Sequence, residues 1–275
     1  MRLSCLLYLR LSLLLSCLAG CAVDPLQHAD DIATHAGMQH QEVAAGPFVL
    51  TAYARLSAPG QPLTVYLEGD GRAWLGRTVV SPDPTPRQAV GLQLATRDPA
   101  ANVLYLARPC QFTPMARNPQ CQSRYWTDLR YAPEVIAAID AALSSYVARL
   151  HPSRLDLVGY SGGGAVAVLV AARRHDVASL RTVAGNLDHV AVNAWHKVSP
   201  MPGSLNPIDV AAQVARLPQL HFSGAEDSVV PTAISRSFVA RAAPCAALRV
   251  IPAMGHEGDW AALWPTLLQS PLPCQ

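Results

Sequence analysis

The feature that most constrains this chain is a series of short, unbroken apolar runs separated by stretches of helical periodicity. Runs at 63–67, 103–107, 155–159, 180–184, 220–223 and 248–251 are each four or five residues long. A run of that length without polar alternation is the pattern of a strand buried on both faces, as in a parallel sheet. An earlier segment, 48–55, alternates apolar with small or polar residues and also reads as a strand. Between the runs, segment 133–150 places Val135, Ile136, Ile139, Leu143 and Val147 at helical spacing. Pro133 stands in its first turn, where a missing N–H costs little. Further helices are expected at 88–96, 163–174, 208–216, 232–241 and 259–269. Alternation of this kind predicts an α/β fold, with a mostly parallel central sheet flanked by helices on both faces. Sites in such sheets lie beyond the carboxyl ends of the strands, which selects the residues to inspect.

The beginning of the chain reads as an address and not as part of the fold. Arg2 and Arg10 flank an apolar run, 3–18, that ends in small residues, as a secretory signal does. The run is too short to span a bilayer comfortably. Leu18-Ala19-Gly20-Cys21 resembles the lipobox of bacterial lipoproteins. That resemblance implies that residues 1–20 are removed and that Cys21 carries the lipid. Ala22, standing where an Asp would favour the inner membrane, implies the periplasmic side of the outer membrane. Residues 21–46 lack clear periodicity and are expected to form a solvated, lipidated tether, with the folded domain at 47–275. His28, His35 and His40 lie in that segment, but their spacing matches no recognised metal pattern, and no metal site is expected.

Charge removes one class of partner. The chain has 21 Lys and Arg against 19 Asp and Glu, and loss of Arg2 and Arg10 with the leader leaves 19 against 19. A surface without excess basic charge cannot displace the counterions of a nucleic acid, so no nucleic-acid partner is expected.

Three strand ends carry reactive residues. After the run 155–159 comes Gly159-Tyr160-Ser161-Gly162-Gly163, a G-x-S-x-G pentapeptide at a strand-to-helix junction. Its glycines permit a sharp turn that lifts a serine hydroxyl above the sheet, and the helix that follows aims N–H groups at developing negative charge. After 220–223 comes Gly224-Ala225-Glu226-Asp227, where Asp227 can accept a hydrogen bond from a histidine and fix its tautomer. Glu226 and, after the preceding strand, Asp188 are its competitors. After 248–251 comes Gly255-His256-Glu257-Gly258, whose histidine can act as a general base. No second histidine follows at the spacing of a zinc-binding HExxH helix.

Ser161, Asp227 and His256 thus occur in the chain order of α/β-hydrolases, and the sequence resembles that superfamily from about residue 47 to 270. The resemblance implies acyl transfer without cofactor or metal. Ser161 is the nucleophile, His256 the base and Asp227 its orienting carboxylate. It also implies an oxyanion hole, with one N–H from Gly162 and another from the loop Glu68-Gly69-Asp70-Gly71 after the first buried run. Family members often have His-Gly where this chain has Glu-Gly; Asp70 is preferred as the donor, with Gly71 the alternative. Gly69 and Gly71 do not extend to a dinucleotide fingerprint, because position 74 is Trp.

Beyond Cys21, the chain expected to remain after loss of residues 1–20 keeps Cys110, Cys121, Cys245 and Cys274; these suggest disulfides in an exported protein, and four allow three pairings. On the hydrolase architecture, Cys110 and Cys121 would pin a loop on the active-site face, with Tyr125 and Trp126 near the rim. Cys245 and Cys274 would meet on the opposite face. The segment 187–207 lies where the family inserts lids and is too short for a large cap. Tyr160, Trp74 and Trp195 are candidates for an apolar wall. The expected activity is hydrolysis of a small-molecule or lipid-like ester by a membrane-anchored serine hydrolase. A non-catalytic envelope lipoprotein and a serine peptidase are the alternatives.

Overall fold

A computed structural model describes residues 24–275; the leader read at 1–20 and the lipidation residue Cys21 lie outside the described residues. Eight strands form one sheet in the order β1-β2-β4-β3-β5-β6-β7-β8. They are β1 (Gln39–Ala45), β2 (Phe48–Leu56), β3 (Leu63–Leu67), β4 (Asn102–Leu106), β5 (Leu155–Tyr160), β6 (Val177–Val183), β7 (Gln219–Gly224) and β8 (Ala246–Ile251). Only β2 runs against its neighbours; β3 to β8 are parallel throughout. All five residues of β3 and of β4 are buried, as their continuous apolar runs require.

The helices are α1 (Pro25–His35), α2 (Val90–Thr96), α3 (Pro133–Leu150), α4 (Gly162–Ala171), α5 (His189–His196), α6 (Thr232–Arg241) and α7 (Trp260–Leu268). Side chains alternate through the sheet, so β3 sends Leu63, Val65 and Leu67 into one apolar layer and Tyr66 into the other. The first layer is closed by Ile136, Ile139 and Leu143 of α3, Val166 and Val170 of α4 and Phe238 of α6. The second is closed by Ala29 and Ala33 of α1, Leu92 and Leu94 of α2 and Trp260 and Trp264 of α7. Helices therefore cover both faces.

Two expectations need correction. Residues 24–46 are not a tether: they form α1 and β1, and β1 adds an edge strand to β2 in register from Gln39 opposite Ala54 to Ala45 opposite Phe48. The helix is held by Asp24 at its N-cap, whose carboxylate accepts from the Leu26 N–H at 3.0 Å, and by Pro25 at its first position. Its buried stripe is made of alanines, which leaves little hydrophobic periodicity to read. Second, the helix expected at 208–216 is a 3-10 helix at Pro207–Val214.

Both disulfides form in the expected pairing, with α-carbons 5.7 Å apart for Cys110–Cys121 and 5.4 Å for Cys245–Cys274. No helix among the described residues is long and apolar enough to cross a membrane.

Candidate active site

The turn between β5 and α4 carries Ser161 with φ 50° and ψ −118°, outside the regions an L-residue ordinarily occupies. Its neighbours make that backbone possible. A β-carbon at Gly159 would be driven into the Gly163 carbonyl, and one at Gly163 into the carbonyl of Leu67. Only glycine at both positions lets strand, turn and helix pack this closely. The turn is pinned from β6: the Ser161 N–H donates to the Val183 carbonyl at 2.9 Å, and the Asn186 N–H donates to the Ser161 carbonyl at 2.9 Å.

The three strand-end residues meet. Ser161 Oγ lies 2.9 Å from His256 Nε2, and His256 Nδ1 lies 2.8 Å from Asp227 Oδ2. The other Asp227 oxygen accepts from the N–H groups of Val229, at 2.9 Å, and Val230, at 2.7 Å. A carboxylate held in this way accepts but does not donate, so the proton on His256 belongs on Nδ1 and leaves Nε2 free to accept from the serine hydroxyl. The His256 loop is fixed through its own carbonyl, which accepts from Trp260 Nε1 at 2.9 Å and from the Tyr160 hydroxyl at 3.1 Å. The competitors are elsewhere: Asp188 caps α5, accepting from the Ala191 N–H at 3.1 Å and from Asn206 Nδ2 at 2.9 Å. Glu226 is exposed.

The loop after β3 is held more elaborately than its sequence implies. Glu68, where the family often has His, is buried and turned back into the fold. Its carboxylate accepts from the N–H of Gly69 at 2.9 Å, the N–H of Gly91 at 3.1 Å and the Tyr105 hydroxyl at 3.0 Å. Burial pushes its carboxyl above the usual range, and these three bonds offset part of that. Glu68 thereby ties the loop to the start of α2. The Asp70 side chain is also buried: Arg108 lies 3.0 Å and Arg130 2.9 Å from its two oxygens, and the Tyr131 hydroxyl donates to it at 2.9 Å. Burial alone would raise the Asp70 carboxyl, but Arg130 and Arg108 outweigh it and hold the group below the usual range. The N–H groups of Asp70, Gly71 and Gly162 donate to no other described residue, and Asp70 and Gly71 line the cleft beside Ser161.

No sequence pattern singles out Arg108, Arg130 or Tyr131. Arg108 directly follows the β4 region, one of the strand ends worth inspecting. Its partner lies 38 positions away and that of Arg130 60, so no local pattern announced either pair. The loop carrying Arg108 is stapled by Cys110–Cys121 and braced by Gln111, whose Nε2 donates to the Gly69 carbonyl at 3.0 Å.

Above Ser161 opens a cleft of about 600 Å³. Tyr160, Trp74, Val90 and Val229 give it apolar walls, and Arg72, Arg87 and Arg130 give it cationic ones. Tyr125 and Trp126 do not line it: Trp126 is buried with its Nε1 donating to the Ser81 carbonyl, and Tyr125 packs edge-on against Phe48. Trp195 stands outside the cleft on the exposed side of α5. Among the described residues no cluster of three or more His, Cys, Asp or Glu side chains could hold a metal ion.

The sheet order, its single reversed strand, the helices on both faces and the serine turn after β5 define the α/β-hydrolase fold. Solved structures agree with that assignment. Est1E from Butyrivibrio proteoclasticus superposes with a TM-score of 0.58 at 15% identity, over 83% of this chain and 95% of that one. The Pyrococcus furiosus esterase Pf2001 gives a TM-score of 0.61 at 12% identity, over 86% and 92%. A puromycin-hydrolyzing peptidase of Mycobacterium tuberculosis gives 0.60 at 16%, over 84% of this chain but only 37% of that one. No family model matches the chain. No curated protein sequence matches it either.

Proposed function

We propose that this protein is an exported serine hydrolase that cleaves carboxylic esters by acyl transfer and is held to the cell envelope by a lipid on Cys21. The observation that carries the catalytic reading is the 2.9 Å approach of Ser161 Oγ to His256 Nε2, with Asp227 behind the ring. In this reading Ser161 attacks the ester carbonyl while His256 takes its proton. The N–H groups of Gly162 and Asp70 hold the oxyanion, and His256 returns the proton to the leaving alcohol. Water, activated by the same histidine, then releases the acid from the acyl-enzyme. Asp227 keeps the ring in the required tautomer throughout.

The cleft fits a small or medium acyl group, with Trp74 and Tyr160 as its apolar side. Export is supported by the two disulfides, because such bonds form and persist in oxidising compartments and are rare in reducing ones. The lipid anchor rests on the lipobox-like residues 18–21, and Ala22 favours the periplasmic side of the outer membrane.

The test is hydrolysis of nitrophenyl acetate and butyrate by the purified protein, compared with its Ser161→Ala variant and with matched anilides. Ester turnover that vanishes in the variant supports the proposal. Turnover of the anilides at a comparable rate would move the assignment to a peptidase, and no turnover of either would favour a binding protein.

A further inference from the structure

The chain enters the fold on the same face as the cleft. Strand β1 begins at Gln39, opposite Ala54 and so level with Leu104 in the middle of β4, and climbs past the carboxyl end of β4 to Ala45. Helix α1 leads down into it. Its end lies at the amino-terminal foot of the parallel strands, where Arg55 donates to the Ala36 carbonyl at 3.0 Å and to the carbonyl of Ala100, just before β4, at 3.2 Å. Halfway up, Asp30 accepts from the Tyr53 hydroxyl at 2.7 Å. The first residues of α1, Asp24 and Pro25, are therefore at the top, the carboxyl-end face onto which Ser161 opens. Two residues, Ala22 and Val23, separate Asp24 from Cys21, a span of at most about 11 Å of extended chain. A domain of this size has a radius of gyration of about 18 Å. The leash is shorter than the molecule is thick, so the face bearing Asp24 has to lie against whatever holds Cys21.

That face has the composition a bilayer surface selects. The N–H of Leu75 donates to the Val79 carbonyl at 2.8 Å, closing a tight turn with Arg77 at its tip. Trp74, Leu75 and Val79 are 42%, 46% and 56% exposed. Across the cleft, α5 presents Trp195, 66% exposed, and is tied to the rim by His196 Nε2, 2.8 Å from the Val229 carbonyl. The rim loops also carry Arg72, Arg77 and Arg87, exposed and in no ion pair among the described residues, against the single exposed acid Asp83. The exposed acids Glu226 and Glu257 lie on the His256 side of the cleft, near Val229 and away from loop 73–80. Exposed Trp beside Arg is the pairing that settles at the headgroup level of anionic lipid.

Resting on the lipid-anchor reading above, we propose that the rim formed by loop 73–80 and α5 docks onto an anionic bilayer, so that the cleft opens toward the membrane that carries the protein. Esters dissolved in that membrane then reach Ser161 without crossing bulk water.

The full lipidated protein, reconstituted in vesicles of phosphatidylethanolamine and phosphatidylglycerol with brominated acyl chains, tests this by tryptophan fluorescence. Of the five tryptophans only Trp74 and Trp195 are exposed, since Trp126, Trp260 and Trp264 are buried. The expected result is quenched emission in the wild type, with most of the quenching lost in Trp74→Phe/Trp195→Phe. Quenching should also weaken when phosphatidylcholine replaces phosphatidylglycerol. Vesicle-bound protein whose emission bromine leaves untouched overturns the docking. A crosslinked dimer with unquenched tryptophans does the same and assigns the rim to a second copy. Protein that leaves the vesicles altogether removes both the anchor and the docking. Fluorophosphonate labelling of the same samples separates the two proposals: unlabelled protein with quenched tryptophans would sink the hydrolase reading while leaving the docking intact.

Discussion

The Asp70 carboxylate stands against the α-carbon of Gly162, so close that a β-carbon at residue 162 would overlap it. A negative charge is thus built in beside the N–H proposed to hold a negatively charged intermediate. Arg108 and Arg130 resolve the conflict, because two guanidinium groups on one carboxylate leave the cluster with a net positive charge.

Removing one of those cations should therefore act on the transition state more than on substrate binding. Arg130→Met is the cleaner variant, because the Arg130 side chain is partly exposed while that of Arg108 is almost wholly buried. The expected loss is about 2 kcal/mol of transition-state stabilisation, roughly 30-fold in kcat, with KM changed far less. Steady-state kinetics on a short acyl ester reads this, and an unchanged kcat would contradict the role given to the pair.

Asp227→Asn should fold normally and barely turn over. Its oxygen can still accept from Val229 and Val230, but its amide would face His256 Nδ1 and force the proton to the wrong nitrogen. A loss of about 10⁴ in kcat is expected for the wrong tautomer. Circular dichroism beside the kinetics distinguishes this from unfolding, and a drop of only a few-fold would remove Asp227 from the mechanism.

The buried His221 makes a prediction for stability instead. It sits on β7 between Thr182 Oγ1, at 2.8 Å, and Gln219 Oε1, at 3.1 Å, and burial pushes its pKa down to about 3. Its folded pKa is depressed, so the unfolded chain binds the extra proton between roughly pH 6.5 and pH 3. Stability contributed by the neutral ring is full above that window and is lost as pH falls through it, by up to about 1.4 kcal/mol per pH unit. Urea melts at pH 5 and 7 should show His221→Gln with a flatter dependence than wild type. Parallel slopes would exclude this source.

The two disulfides should separate stability from activity. Cys245–Cys274 joins the chain before β8 to the chain after α7, far from the cleft. Replacing both by serine should cost about 3 to 4 kcal/mol on the chain-entropy model and leave turnover of the folded protein unchanged. Replacing Cys110 and Cys121 should lower turnover as well, because Arg108 and Gln111 brace the Asp70 loop from beside that bridge. Thermal melts and kinetics on both variants check this together.

What could be read without coordinates divides along physical lines. The buried strands and α3 were legible because a continuous apolar run or a helical stripe is a local signal, and β3 and α3 fall on the expected residues. The serine turn was legible because its glycines are demanded by contacts within a few residues. Helix α1 was not: its buried face is Ala29 and Ala33, and only the Asp24-Pro25 pair at its start announced it. Strand β1 is an edge strand with mostly polar side chains, fixed by pairing to β2 and not by any apolar pattern. Glu68 looked like a departure from the hydrolase loop, and its compensation depends on Gly91 and Tyr105, brought in by the fold from 23 and 37 positions away.

The most direct test of the central claim is labelling of the purified protein with a fluorophosphonate probe, read by intact mass. One adduct per chain is predicted, located on Ser161 and abolished in both Ser161→Ala and His256→Ala. A correctly folded wild type that takes up no label, or a Ser161→Ala variant that still does, would contradict the account.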